Sequence, residues 1–150
     1  MYWSLVPFLA IVIVVAGSGV FFTPGAWYET LRKPSWTPPN WLFGPVWSTL
    51  YIMIAVAGWL VWRVEGIGIT LVVWGLNLVF NALWSYFFFG IRRMDIAFVD
   101  ALLMWVTVAL FIVLAAQVST VAALLFVPYL IWVTIAATLN RTVWRLNPAA

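Results

Sequence analysis

The chain has 150 residues, 67% of them hydrophobic and only 7% charged, with a net charge of +3. A soluble domain carries about a quarter charged residues, so this composition excludes one and points to a membrane protein. With no Cys and no His, the chain has no disulfide framework, no thiolate nucleophile, no zinc site of the usual ligands and no His or Cys axial ligand for haem iron. The seven basic residues are scattered between apolar runs and form no basic stripe, so the charge speaks of membrane topology rather than nucleic acid.

Stretches of alternating polarity about 10 residues long, the mark of a membrane β-barrel, do not occur. Five apolar runs predict spanning helices at Tyr2–Phe22, Phe43–Trp62, Ile67–Phe89, Met94–Gln117 and Thr120–Trp144, each near the roughly 20 residues a helix needs to cross a bilayer. No Lys or Arg precedes the first run, and it exceeds the ~7–15 apolar residues of a signal-peptide core, so it is expected to be a retained helix that tolerates Pro7 near its start. Short turns at Arg63–Gly66, Gly90–Arg93 and Gln117–Ser119 predict that successive helices pack as antiparallel neighbours. Residues 1–150 therefore read as a single all-α membrane domain, a compact bundle of five transmembrane helices. No internal repeat suggests an inverted-repeat transporter.

The one long connection, between the first two spans, differs from the rest. From Trp27 to Trp47 it reads WYETLRKPSWTPPNWLFGPVW, with Trp27, Trp36, Trp41 and Trp47 set among Pro34, Pro38, Pro39 and Pro45. Proline fixes φ and removes a backbone donor, so this segment is expected to be stiff and non-helical. Indoles suit both the membrane interface and stacking on a planar ligand. The segment therefore reads as a rigid aromatic lid forming one wall of a binding site. Arg32, Lys33, Arg92, Arg93, Arg141 and Arg145 fall on the lid's side of the membrane and Arg63 on the other. The excess of cations places the lid and the C-terminus in the cytoplasm and the N-terminus outside.

Asn77, Asn81 and Ser85, spaced by four, share one face of the third span. That face must point into the bundle, either to hydrogen-bond between helices or to anchor a ligand's polar group. Trp47 and Tyr51 stack one turn apart on the second span, and Tyr129, Trp132 and Ala136 form an aromatic-then-small stripe on the fifth. Such stripes serve a packed core or border an apolar cavity with a few polar groups. Pro128 is expected to kink the fifth span. Asp95, in the first turn of the fourth span, suits the helix dipole. Asp100, deeper in that span, lies within expected reach of Arg92 or Arg93, or else serves as a proton relay. Glu29 and Glu65 read as solvated. No paired carboxylates, Ser–His arrangement, phosphate loop or metal cluster is present in the sequence, so any chemistry would come from a bound chromophore.

Three segments carry a resemblance: WYETLRKPSWTPPNWLFGPVWSTLY at Trp27–Tyr51, NLVFNALWSYFFFG at Asn77–Gly90 and VPYLIWVTIAATLNRTVWRLN at Val127–Asn147. In this order they resemble the translocator protein, or tryptophan-rich sensory protein, family, also called peripheral benzodiazepine receptors. The resemblance implies a five-helix membrane bundle with a pocket near the lid that binds porphyrins such as protoporphyrin IX, benzodiazepine-type ligands and sterols; the spanning helices themselves favour a bacterial inner membrane. It places pocket residues at Tyr28, Pro38, Phe43, Trp47, Tyr51, Asn81, Trp84, Ser85, Trp132 and Ala136, with Trp47 and Trp132 facing the porphyrin. It also implies a homodimer, and either light- and oxygen-dependent porphyrin breakdown through Trp47 and Trp132 or porphyrin and sterol transport. No cofactor is required, the porphyrin being a ligand, and metal-free porphyrin is favoured over haem because no iron-ligating side chain is available. One departure bears on sterols: Arg141 stands where the family's vertebrate-type sterol pattern has a Tyr, whereas Leu83, Tyr86 and Arg92 match a looser version. The ring is expected to enter under the lid, stack on Trp47 and Trp132, accept a hydrogen bond from Asn81 and set its propionates against Arg32 or Lys33.

Overall fold

The computed structural model describes residues 2–21 and 25–148. A 3₁₀ turn at Tyr2–Ser4 leads into α1 (Leu5–Phe21), followed by a short α2 (Ala26–Thr30), α3 (Asn40–Glu65), α4 (Ile69–Ser85), a π-helical turn at Tyr86–Gly90, α5 (Met94–Ala115) and α6 (Thr120–Leu146). Five of these segments are long and apolar enough to cross a membrane: Tyr2–Gly19, Asn40–Glu65, Ile69–Gly90, Met94–Ala115 and Thr120–Leu146. The expected end of the first span, Phe22, lies outside the described residues. The protein is an integral, multi-pass, all-helical membrane protein.

Two expectations about the connections are corrected. Helix α3 begins at Asn40 rather than Phe43 and runs through Pro45, so the second half of the Pro/Trp segment is helical. Pro39 sits at the N-cap with φ −64°, where its missing N–H would have had no intrahelical partner anyway. At the other end α3 stays helical through Glu65, and the reversal falls at Gly66, whose φ of +70° favours a residue without a Cβ. Helix α6 likewise continues through Pro128, which lies on its exposed surface.

Around the bundle the helices run in the order α1, α3, α6, α5, α4. Contrary to the expectation from the short turn, α3 and α4 are not simple neighbours, because α1 packs against both. Phe8 of α1 sets its ring against Trp62 of α3 (5.9 Å) and edge-on to Trp74 of α4 (5.4 Å). Helices α3 and α4 meet where the Trp74 indole N–H donates to the Ile54 carbonyl at 2.9 Å. That approach needs Gly58, since a Cβ there would fall inside van der Waals contact of the Trp74 ring.

The π-helical turn also has a local consequence. It adds a residue to the turn that closes α4, so Phe88 and Phe89, adjacent in sequence, both contact the Trp84 indole (5.2 and 5.8 Å). The chain then reverses through Arg92, which adopts φ +56°.

Replacing Gly58 with Ala should force Trp74 to rotate and give up its bond to Ile54. Overpacking of this kind destabilises by about 1–3 kcal/mol. Thermal unfolding in detergent should show a lowered midpoint for Gly58→Ala and little change for Gly75→Ala, where a Cβ meets nothing within 4 Å.

Candidate ligand-binding cavity

Beneath α2 and the loop that follows, the helices part to leave a cavity of about 510 Å³, within the roughly 300–1,000 Å³ typical of small-molecule sites. Its floor is a chain of hydrogen bonds. Tyr51 donates to Asn81 Oδ1 at 2.9 Å, and Asn81 Nδ2 donates to the Tyr129 hydroxyl at 2.8 Å. Tyr129 in turn donates to Asn77 Oδ1 at 3.0 Å, and Asn77 Nδ2 donates to Thr107 Oγ1 at 2.9 Å. Four helices are thereby joined by side chains that would each be costly if left unpaired in hydrocarbon.

The walls are aromatic. Trp47 stacks on Tyr51 with centroids 5.4 Å apart and planes 27° from parallel, and Phe43 meets the Trp132 indole edge-on at 5.6 Å. Trp47 and Trp132 are 6.4 Å apart with planes at 86°. A flat ring in this arrangement therefore meets one of them face-on and the other edge-on, not both face-on as expected. Trp84 closes the α4 wall, its indole N–H donating to Asn140 Oδ1 at 3.0 Å, while Asn140 Nδ2 reaches the Met94 carbonyl at 3.0 Å.

The roof is Tyr28, only 3% exposed, with its ring edge-on to Phe89 at 5.7 Å and Lys33 Nζ 4.4 Å from its centroid. Burial, and after it the Glu29 carboxylate, push the Tyr28 phenol above its ordinary range, so it stays neutral at physiological pH. Asn147 pins the loop. Its side chain accepts from the Arg32 N–H at 2.9 Å and donates to the Arg32 carbonyl at 2.8 Å.

Of the residues placed in the pocket by sequence, Tyr28, Phe43, Trp47, Tyr51, Asn81, Trp84, Ser85, Trp132 and Ala136 all line this cavity, and Pro38 does not. Asn77 is a packing residue below it. Asn81 serves both ends: it lines the cavity, yet its amide is already engaged by Tyr51 and Tyr129. Among the described residues the buried donor without a partner is elsewhere. Trp132 is 8% exposed and its indole N–H has no hydrogen-bond partner. The lid is less aromatic on its inner side than expected. Trp36 and Trp41 are exposed, Trp27 packs on Phe88 at 5.9 Å, and of the four loop indoles only Trp47 reaches the cavity.

The acids also differ from expectation. Arg93 is held by Asp95 through two hydrogen bonds of 3.0 and 2.8 Å, and Arg92 lies over the Trp27 ring at 5.6 Å. Neither arginine pairs with Asp100, which is buried with one carboxylate oxygen unpartnered. Glu29 is exposed but accepts from Asn40 Nδ2 at 2.7 Å.

Sequence reasoning missed Ala16, Gly19, Asn40, Gly44, Ser48, Phe88, Phe89, Leu139 and Asn140 as lining residues. Asn140 had a visible signal, since it extends the Trp132–Ala136 stripe by four more residues. Phe88 and Phe89 had none, because two adjacent residues cannot share a face of a regular α-helix.

The sequence pattern of the TspO/MBR family matches residues 7–145. The chain belongs to this family. It is 41% identical to the tryptophan-rich sensory protein of Cereibacter sphaeroides over 148 residues, covering 98% of this chain and 94% of the relative. It is 44% identical over 138 residues to protein CrtK of Rhodobacter capsulatus, covering 87% and 84%. The human translocator protein is 46% identical over 127 residues, covering 81% of this chain and 75% of its own. The matched residues include α3 to α6 and the loop, so the cavity described above is built wholly from family-matched sequence.

Tyr129 is the central link of the floor, and Tyr129→Phe strands Asn77 Oδ1 and Asn81 Nδ2 at once. Membrane hydrogen bonds contribute about 0.6–2 kcal/mol each. A loss of stability of that size should appear in thermal unfolding, with a smaller loss for Thr134→Val, whose hydroxyl bonds only at the exposed surface.

Proposed function

We propose that this protein binds a flat, apolar tetrapyrrole with acidic side chains, of the protoporphyrin type, in the cavity below the loop. The observation that carries the reading is the cavity itself, walled by the rings of Phe43, Trp47, Tyr51, Trp84 and Trp132. The aromatic walls supply stacking area for a planar ring. Arg32 and Lys33 stand on the loop that covers the cavity, where they complement propionates. Benzodiazepine-type and isoquinoline-carboxamide ligands share the needed features, flat rings with a carbonyl acceptor, and fit the same reading. A metal-free macrocycle is favoured because the chain offers no His or Cys to iron. The six cations at the loop's end of the bundle support a cytoplasmic loop and C-terminus, in the helix-bearing inner membrane of a bacterium.

Titrating protoporphyrin IX into the detergent-solubilised protein should quench tryptophan emission saturably. Trp132→Phe trims the indole that Phe43 packs against and removes part of the ring surface offered to a ligand. Its Kd should rise roughly two- to tenfold, as loss of an aromatic contact of about 0.5–1.5 kcal/mol implies. An unchanged Kd in Trp132→Phe together with Trp47→Phe would overturn the assignment.

A second reading has its own support. Trp47, Tyr51, Tyr129 and Trp132 form a contiguous set of oxidisable rings, with Trp47 within 5.4–6.4 Å of each of the other three. Such a set suits electron transfer to a photo-excited porphyrin in the presence of oxygen. Under aerobic illumination the porphyrin absorption band should fade faster in the complex than in free porphyrin, and Trp47→Phe should slow the loss. Equal rates for bound and free porphyrin would reject catalysis.

A further inference from the structure

Two routes lead to the cavity. The first passes under the loop, and it is fastened at both ends. Asn147 holds both backbone polar groups of Arg32, at 2.9 and 2.8 Å, and Asn40 holds Glu29 at 2.7 Å. Beside these clamps Tyr28 and Leu31 are buried, packed with Phe88, Leu139 and Val143. Opening the roof requires giving up these contacts together.

The second route is the seam between the last turns of α1 and the first turns of α3. Ala16 and Gly19 on α1, and Gly44 and Ser48 on α3, all line the cavity. A Cβ added at Gly19 or Gly44 would meet no atom of the described residues within 4 Å, and neither residue has a positive φ. Close packing and backbone geometry therefore do not explain either glycine, in contrast to Gly58 and Gly66. Glycine inside a helix is unfavourable relative to alanine. What the two missing side chains leave is width. Gly44 and Ser48 are exposed as well as bordering the cavity. Toward the other end the same seam is shut by Phe8 against Trp62 and by the Trp59 indole donating to Ser4 Oγ at 2.8 Å.

The height of the gap decides what it opens onto. At about 1.5 Å per residue the 26 residues of α3 span roughly 39 Å, against a hydrocarbon thickness of about 30 Å. Centred in the bilayer, α3 then has Gly44 near the edge of the hydrocarbon and Ser48 roughly 7 Å inside it. In that placement the gap faces acyl chains of the leaflet on the loop's side, and it leads to the cavity that Trp132 lines.

We propose that ligand reaches the cavity sideways from that leaflet, through the slot bordered by Ala16, Gly19, Gly44 and Ser48, and that the loop is a fixed roof rather than the door. The proposal rests on the cavity being the ligand site. It adds a selection: a ligand must dissolve in the bilayer and be flat enough to pass between two helices. This differs from passage under the lid, which the loop's position in sequence suggested.

The test uses the protein in lipid nanodiscs, with protoporphyrin IX supplied in vesicles and tryptophan quenching followed by stopped flow. The chain has no native cysteine, so a pair introduced as Ala16→Cys and Ser48→Cys can be bridged specifically with a bifunctional thiol reagent. Comparing one sample before and after bridging removes any concern about folding of the variant. Bridging should slow association and dissociation by a common factor of at least about tenfold, the signature of a gate, whereas loss of a ligand contact changes dissociation alone. Gly44→Leu should act in the same direction. Asn147→Ala, which unfastens the roof, should leave both rates within about twofold of the parent. Rates unaffected by bridging, or both rates accelerated by Asn147→Ala, would overturn the lateral route while leaving the cavity as the binding site. Absence of saturable quenching in the parent would remove the cavity reading and the route together.

Discussion

An amide or phenol left without a partner in hydrocarbon is expensive, and this bundle places two asparagines and two tyrosines deep in its interior. Their solution is mutual: Tyr51, Asn81, Tyr129, Asn77 and Thr107 form one hydrogen-bonded chain across α3, α4, α6 and α5. Apolar packing alone sets helix rotation weakly in a membrane, because lipid tails are as apolar as leucine. The chain supplies the missing specificity. With Asn77 and Asn81 turned inward, the rotation of α4 follows, and Trp84 and Ser85 are carried onto the same wall. With Tyr129 turned inward, α6 must present Trp132 and Ala136 one and two turns further along.

The cavity begins where this chain ends. Below Tyr51 and Asn81 the interior is filled, with Ile54, Val108, Phe111 and Phe126 fully buried. Above them the large side chains stand around a space instead of filling it. The π-helical turn contributes by delivering two successive phenylalanines to one side, and the roof residue Tyr28 is held by ring contacts below and by Lys33 above. Among the described residues two buried side-chain atoms lack a hydrogen-bond partner, Trp132 Nε1 and Asp100 Oδ2. They are not equivalent. The Trp132 ring lines the cavity, whereas Asp100 lies outside it, buried on α5.

The division of labour in the loop follows from the same physics. Its prolines and its Asn147 clamp give it a fixed path, and its outward indoles, Trp36 and Trp41, sit where amphipathic rings favour the membrane interface. An aromatic-rich segment thus has two uses at once: Trp36 and Trp41 face the surface, and Tyr28, Phe43 and Trp47 face inward.

Class, span number and the inward faces were legible in the chain itself, because length, hydropathy and four-residue spacing are local properties. The spacing of Asn77, Asn81 and Ser85, and of Trp47 and Tyr51, required nothing beyond helix periodicity to place them on the interior. What remained hidden depends on pairs distant in sequence. That α3 and α4 touch across the bundle follows from Gly58 admitting Trp74, and nothing near either residue announces it. That Asn81 is already engaged while Trp132 is free depends on where Tyr51 and Tyr129 come to rest, 30 and 48 residues away from Asn81. Whether Gly19 and Gly44 are close-packed or open is likewise a property of the space between helices, which no single helix contains.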